Sequence, residues 1–199
     1  MINAVQGTPR TCSYKVAKKG RLCYLRGDFF FFVHVEDVMS KGVVQIYYGE
    51  GHGKSTAALG NAIQMAGDGK SVIAIQFMKG KMEKEADFLQ RLEPEIRFFR
   101  FAKSDVAFEQ LSEEEKQEER INLKNGFNYG KKVVCTGACD LLIMDEILGL
   151  LDEGVITMED MKELISAKPE EMNIIFTGRV LPDALRACAD EIYNIAPEK

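Results

Sequence analysis

Val44-Gln45-Ile46-Tyr47-Tyr48-Gly49-Glu50-Gly51-His52-Gly53-Lys54-Ser55-Thr56-Ala57-Ala58-Leu59 decides how this chain is read. An alternating apolar stretch, with the pattern of a half-buried strand, runs into a glycine-rich turn. The turn ends in Gly-Lys-Ser-Thr, and a helix-forming run follows at once. This order suits the holding of a polyphosphate. Gly49, Gly51 and Gly53 lack a Cβ, so the backbone there can take φ > 0 and come close to an anion. A helix starting near Gly53 adds its unpaired N–H groups and the positive end of its dipole. Lys54 supplies a point charge for the outer phosphates, and the Ser55 hydroxyl suits a magnesium ion.

The loop departs from the usual pattern in one respect. G-x-x-x-x-G-K-S/T places its first glycine where this chain has Tyr48; the glycine comes one position later, at Gly49. The alternative reading is a glycine-rich strand–helix turn carrying a chance Gly-Lys-Ser. The strand before, the helix after and three alternating glycines favour the phosphate loop.

Composition narrows the classes. The chain has 199 residues, 46% hydrophobic and 29% charged, enough for one sizeable folded domain. No apolar run approaches the ~20 residues of a membrane span, so no membrane partner is expected. The formal charge of -5 argues against a nucleic-acid backbone as partner. Five cysteines (Cys12, Cys23, Cys135, Cys139 and Cys188) without C-x-x-C spacing fit a reducing cytoplasm. Cys135 and Cys139 share a helix face if that stretch is helical, but two thiols do not make a zinc site.

Residues 1–38 differ from the rest. They carry six Lys/Arg against three acids, a net of +3, which leaves -8 for residues 39–199. Their one apolar block, Phe29 to Val35, lacks the form of a signal segment. Met39-Ser40-Lys41-Gly42 leads straight into the phosphate-loop strand. The expectation is a natural start at Met39, with 1–38 as translated upstream sequence; the rival is an added strand or arm. Residues 39–199 read as a single nucleotide-binding domain.

From Met39 onward, strands and helices alternate. Strands are expected at Val43–Tyr48, Ser71–Phe77, Glu95–Phe101, Leu141–Met144, Met172–Phe176 and Ile192–Ile195. Helices are expected at Lys54–Ala66, at 83–92, and from Ser112 to about Cys135, where Ser112 and Glu115 form a capping box. Pro182 and Asp183 open a further helix. Such βαβ alternation implies an α/β fold: a mostly parallel sheet with helices on both faces. Ligands of such sheets sit beyond the carboxyl ends of the strands.

Two more strand ends carry chemistry. Leu141-Leu142-Ile143-Met144-Asp145-Glu146 is an apolar strand ending in acids, which in phosphate-loop proteins places a carboxylate beside the metal held by the loop hydroxyl. The alternative has Asp145 capping the following helix with Glu146 in its first turn. Thr177-Gly178-Arg179 follows the last strong strand. Arg179 there can reach phosphate or a second substrate, or else makes a surface salt bridge.

Tyr48 to Ala58, then Gln76-Phe77-Met78-Lys79-Gly80, Leu142-Ile143-Met144-Asp145-Glu146 and Ile174-Ile175-Phe176-Thr177-Gly178-Arg179 together resemble the phosphate-loop ATP:corrinoid adenosyltransferases. The resemblance covers roughly Lys41 to Ile195 and includes the one-residue shift of the loop glycine. It implies a phosphate-loop NTPase-like (RecA-like) three-layer sandwich. It also implies transfer of the 5′-deoxyadenosyl group of ATP to cobalt(I) of a reduced corrinoid, with release of triphosphate. Lys54 and Glu146 become the catalytic pair. Gly49, Glu50, Gly51, His52, Gly53, Lys54, Ser55, Thr56 and Arg179 become the ATP site. Ser55, Asp145 and Glu146 take Mg2+, and Gln76, Lys79, Phe101 and Phe108 stand on the corrinoid side. A cytoplasmic homodimer, and a flavoprotein as source of electrons, are further implications.

Departures from the family pattern are local. Better-known members carry Phe-x-Trp after the third strand, whereas this chain has no tryptophan. Phe108 or Phe101 is the candidate replacement, and core packing is the alternative for each. Glu50 and His52 replace an amide or acid and a lysine, and the chain ends at Lys199 without the family's C-terminal tail. Two other readings remain on the same loop: an ATPase or kinase forming ADP, and a non-catalytic nucleotide- or corrinoid-binding protein.

Overall fold

The computed structural model describes residues 14–17, 21–26, 29–34, 41–78, 91–104 and 106–198. The chain divides into two compact units, residues 1–40 and residues 41–199. In the first, β1 (Tyr14–Ala17), β2 (Arg21–Arg26) and β3 (Phe29–His34) form an antiparallel sheet in the order β1-β2-β3.

Among the described residues, the second unit is built on six strands: β4 (Val44–Tyr48), β5 (Val72–Gln76), β6 (Ile96–Arg100), β7 (Leu141–Asp145), β8 (Asn173–Gly178) and β9 (Glu191–Asn194). They lie in the order β6-β5-β7-β8-β4-β9, and every pairing is parallel. Parallel pairing demands crossovers, and among the described residues helices supply those from β4 to β5, β6 to β7, β7 to β8 and β8 to β9. These helices are α1 (Lys54–Gly67), α2 (Glu113–Thr136), α3 (Ile147–Asp152), α4 (Met158–Ser166) and α5 (Asp183–Arg186).

The sheet is buried on both faces, which explains the nearly unbroken apolar strands. Alternate residues sort into two cores. Tyr47, Ala74, Ile143 and Ile175 pack with Ala58 and Ala62 of α1 on one face. Ile46, Ile75, Met144 and Phe176 pack with Leu123 and Phe127 of α2 and Leu148 of α3 on the other. Each fully buried large apolar side chain contributes about 1.5–3 kcal/mol, so the three-layer arrangement dominates the stability of this unit.

The expected strands recur within one or two residues at most ends. The capping box at Ser112 is present: Glu115 N–H donates to Ser112 Oγ, and Ser112 N–H donates to the Glu115 carboxylate. The helix expected at 83–92 falls mostly outside the described residues, and Arg91 and Leu92 lie in a turn. Helix α3 is the helix expected to follow Asp145-Glu146, whereas α4 has no counterpart among the expected elements. Helix α3 starts on a left-handed residue with no side-chain cap. Helix α4 uses Thr157 and Asp160 as its capping box, with the shorter acid where glutamate is the usual signal.

Candidate active site

The topology fixes the crevice. Strand β8 lies between β4 and β7, so the glycine loop, Asp145-Glu146 and Thr177-Gly178-Arg179 leave adjacent strand ends on one edge of the sheet. The loop itself is tightly anchored. Gly49 N–H donates to Arg179 O at 3.0 Å, and Gly51 N–H donates to Ile195 O at 2.8 Å. Those two amides are committed to the scaffold. They are therefore not turned inward toward an anion.

Gly49 sits at φ 117°, and a Cβ there would lie 2.5 Å from Ile195 O, so any side chain is excluded twice over. Gly53, at φ 112°, is the N-cap of α1 and brings the helix N-terminus to the loop. Gly51 has an ordinary φ; its hydrogen is needed because a Cβ would meet Ile195 O at 2.7 Å. Lys54 is 8% exposed, and its ammonium donates to Gly49 O at 2.6 Å and Gly51 O at 3.0 Å. The loop therefore closes around its own cation.

Asp145, the last residue of β7, is 6% exposed and gathers the first turn of α1 and the ends of β5 and β8. Its Oδ1 accepts from Ser55 Oγ at 2.7 Å and from Thr177 Oγ1 at 2.7 Å, and its Oδ2 accepts from Gln76 Nε2 at 3.3 Å. A buried carboxylate requires such donors. The alternative in which Asp145 caps the next helix is not what forms: Glu146 is the N-cap of α3, and its side chain makes no capping bond. Glu146 is instead left-handed, at φ 62° and ψ 26°. For a residue with a Cβ this costs about 1–2 kcal/mol. Glu146 N–H donates to Thr177 Oγ1 at 2.8 Å.

Two cavities flank this corner. One, of about 410 Å³, is lined by Glu50, Gly51, His52, Gly53, Lys54 and Ser55 of the loop, with Glu146 and Arg179. The other, of about 280 Å³, includes Met78, Phe108, Glu109 and Asp152 in its wall, again with Glu146 and Arg179. Glu146 and Arg179 thus stand at both. Burial pushes the Asp152 carboxyl up from its ordinary value.

The remaining expected site residues are distributed as follows. Thr56 is exposed on the first turn of α1, and neither it nor Gly49 lines either cavity. Gln76 is turned to Asp145. Phe101 packs on Tyr129, with ring centroids 5.9 Å apart, and against Gly126, where a Cβ would lie 2.6 Å from its ring. Phe108 is buried beneath the Arg120 guanidinium, 5.5 Å from the ring centroid, and reaches the second cavity. Lys79 lies outside the described residues.

Sequence reasoning missed two residues. Thr177, fully buried, bonds both acids. Glu119, 6% exposed on α2, accepts from Lys103 N–H at 3.0 Å and from Asn122 Nδ2 at 3.3 Å, and so holds the segment leading to Phe108. A hydroxyl ending an apolar strand was the available signal for Thr177. An acid within a run of acids gave none for Glu119.

The donor set fits Mg2+. A hydroxyl and two carboxylates are hard oxygen ligands. Among the described residues no group of three or more His, Cys, Asp or Glu is arranged to hold a metal alone. Magnesium on a nucleotide needs only one or two protein carboxylates, with phosphate oxygens completing its shell. Cys135 and Cys139 make no site: Cys135 is exposed, and Cys139 is buried, its thiol pushed up to about 12 by desolvation. No helix among the described residues is long and apolar enough to cross a membrane.

Comparison with known proteins adds independent findings. The family model described as ATP:corrinoid adenosyltransferase BtuR/CobO/CobP matches residues 40–199. The corrinoid adenosyltransferase of Escherichia coli (strain K12) is 24% identical over 159 residues, covering 80% of this chain and 79% of the relative. Corrinoid adenosyltransferase CobA of Salmonella typhimurium is 26% identical over the same shares of each. Among solved structures, the flagellar accessory protein FlaH of Methanocaldococcus jannaschii superposes with a TM-score of 0.54 at 15% identity, covering 77% of this chain and 71% of FlaH. A KaiC-like protein of Pyrococcus horikoshii OT3 gives 0.54 at 15%, covering 80% of this chain and 75% of its own. At that identity the structural likeness speaks for the fold, a phosphate-loop NTPase-like α/β sandwich.

Proposed function

The chain belongs to the ATP:corrinoid adenosyltransferase family, and from that premise we propose how its residues divide the work and which acceptor they serve. The reaction is adenosyl transfer from ATP to a corrinoid. Cobalt(I) attacks C5′, a Co–C bond forms, the C5′–O bond breaks, and its electron pair leaves with triphosphate. The nucleophile is strong, so the protein's task is positioning and neutralising charge on the leaving group.

The observation that carries the assignment is the shared wall. Glu146 and Arg179 line both the loop cavity and the neighbouring one, as a transfer between two bound substrates requires. On this reading Lys54, the loop and the α1 N-terminus take the triphosphate, with Arg179 as a further cation beside it. Ser55 and Glu146 would hold Mg2+, and Asp145 orients Ser55. Magnesium, when bound, neutralises phosphate charge. Met78 and Phe108 meet the corrin, and Phe108 is the better placed of the two candidates for the missing tryptophan. The acceptor is cob(I)yrinic acid a,c-diamide or cob(I)alamin. A cytoplasmic homodimer supplied with electrons by a flavoprotein completes the proposal. For residues 1–38, the start of the family match at residue 40 supports reading 39–199 as the nucleotide-binding domain.

The test is to mix the protein with Mg-ATP and chemically reduced corrinoid, then follow the cobalt spectrum and the phosphate products. An alkylcobalt spectrum with triphosphate is expected; ADP and phosphate would refute the assignment. Lys54→Ala should lower turnover by roughly 10²–10³-fold, the scale for removing one preorganised charge-stabilising group. Near-normal activity would exclude Lys54 from that role.

A further inference from the structure

Thr177 is fully buried at the end of β8 and lines neither cavity. Its one hydroxyl is used twice. It donates to Asp145 Oδ1 at 2.7 Å and accepts from the Glu146 N–H at 2.8 Å. We infer that Thr177 is a positioning residue that makes two consecutive carboxylates serve one site; the inference rests on the magnesium reading above.

Successive side chains of a strand point to opposite faces. Asp145 and Glu146 are neighbours, so a continued strand would send them apart. The chain avoids this by turning left-handed at Glu146, at φ 62°. Asp145 then bonds Ser55 while Glu146 lines the same cavity as Ser55. The turn is unfavourable for a residue with a Cβ, and something must hold it. The Thr177 hydroxyl does so directly, because it receives the amide of the left-handed residue itself.

The same hydroxyl fixes the orientation of Asp145. Ser55 and Thr177 both donate to Oδ1 and Gln76 donates to Oδ2, so the carboxylate plane is set by the first turn of α1 and the ends of β8 and β5. Thr177 therefore touches neither of the cavities yet controls both acids. Valine is nearly isosteric and lacks the hydroxyl, whereas serine keeps it; the pair separates the hydrogen bonds from the packing.

The experiment measures ATP binding to the full chain by calorimetry, with Mg2+ and again in EDTA, for wild type, Thr177→Val and Thr177→Ser. Hydrogen exchange of the Glu146 amide is followed alongside. Thr177→Val should weaken binding of Mg-ATP by about 10-fold or more, the scale for removing an outer-shell partner. It should leave binding in EDTA unchanged and lose protection at Glu146. Thr177→Ser should stay close to wild type in all three. If wild type gains nothing from Mg2+, the magnesium reading falls and this inference falls with it. If wild type gains and Thr177→Val gains equally, only the role of Thr177 is overturned. Thr177→Ser as impaired as Thr177→Val would also overturn it, because packing rather than the hydroxyl would then be responsible.

Discussion

Asp140 and Asp145 bracket β7, and each carboxylate accepts from a serine hydroxyl. At the amino end, Asp140 Oδ2 takes the Ser71 N–H at 2.7 Å and its Oγ at 2.8 Å, with Lys70 Nζ 3.8 Å from Oδ1. At the carboxyl end, Asp145 takes Ser55, Thr177 and Gln76. Asp140 serves one neighbouring strand entry and is open to solvent, its side chain 42% exposed. Asp145 is buried and joins the phosphate-loop helix, β5 and β8. A carboxylate that fastens a single turn contributes to stability and little else. One that joins several chain segments in a crevice transmits geometry between them. Elsewhere on the amino edge, Lys168 Nζ donates to Gly42 O and Met172 O, both at 2.9 Å, and Asn173 Oδ1 accepts from Val43 N–H at 3.0 Å, so these bonds fasten the entries of β4 and β8 away from the crevice.

The largest effect that tests this contrast is Asp145→Asn. The substitution keeps the shape but removes the charge, and it sets an amide against one of the three donors. Turnover and the apparent affinity for Mg2+ should fall by about 10–100-fold, as for other groups that orient a metal's ligands. Thermal unfolding should shift far less than that loss implies. A variant that unfolds readily yet retains turnover per folded molecule would break the contrast, because Asp145 would then be a fastener like Asp140.

The contrast was only partly legible in the chain. The phosphate loop was readable because its signal is local: strand, glycines, Lys54-Ser55 and helix follow one another in sequence. The parallel sheet was readable because β7 and β8 are apolar on both faces and alternate with helical patterns. Thr177 was not, because its partner Asp145 is 32 residues away in sequence and the bond exists only after β7 and β8 pair. Asp140 was hidden for the same reason, with Ser71 at a separation of 69. Glu119 looked like one more acid in the run from Glu113. The helical period could put it inward, but only the fold shows that the Lys103 amide meets it there. Left-handed Glu146 was invisible because glutamate carries no preference for that conformation; a tertiary hydrogen bond imposes it.

Glu119 provides an intermediate case, a fastener that works at the carboxyl edge. Its carboxylate holds the backbone of Lys103, and the chain then runs to Ala107 and Phe108 in the wall of the second cavity. Removing it in Glu119→Ala leaves a partly buried N–H without its acceptor, at a cost of about 1–3 kcal/mol. Denaturant unfolding should report that loss. In the adenosyl-transfer assay, KM for the corrinoid should rise while KM for ATP stays near wild type. If both rise together, the segment shapes the loop cavity as well, and the division of the crevice into two halves needs redrawing.

Asp140→Asn should give the smallest effect and the most informative pH dependence. Burial opposes the charge on Asp140, but the Ser71 N–H and hydroxyl, with Lys70, outweigh it and hold the carboxyl below its ordinary value. A carboxyl depressed in the folded state contributes stability above its unfolded value, near ~3.9, and loses it as pH falls through the folded value. The side chain is well exposed, so solvent screening limits the contribution to about 1 kcal/mol at most. Wild type should therefore exceed Asp140→Asn by that amount in denaturant unfolding near neutral pH. The gap should close as pH drops below ~3.9, while turnover at neutral pH stays unchanged. A gap that persists undiminished in acid would mean that shape rather than charge holds the Ser71 turn. A loss of turnover would mean that the amino edge of β7 communicates with Asp145 through the strand, and that the two aspartates are not separable.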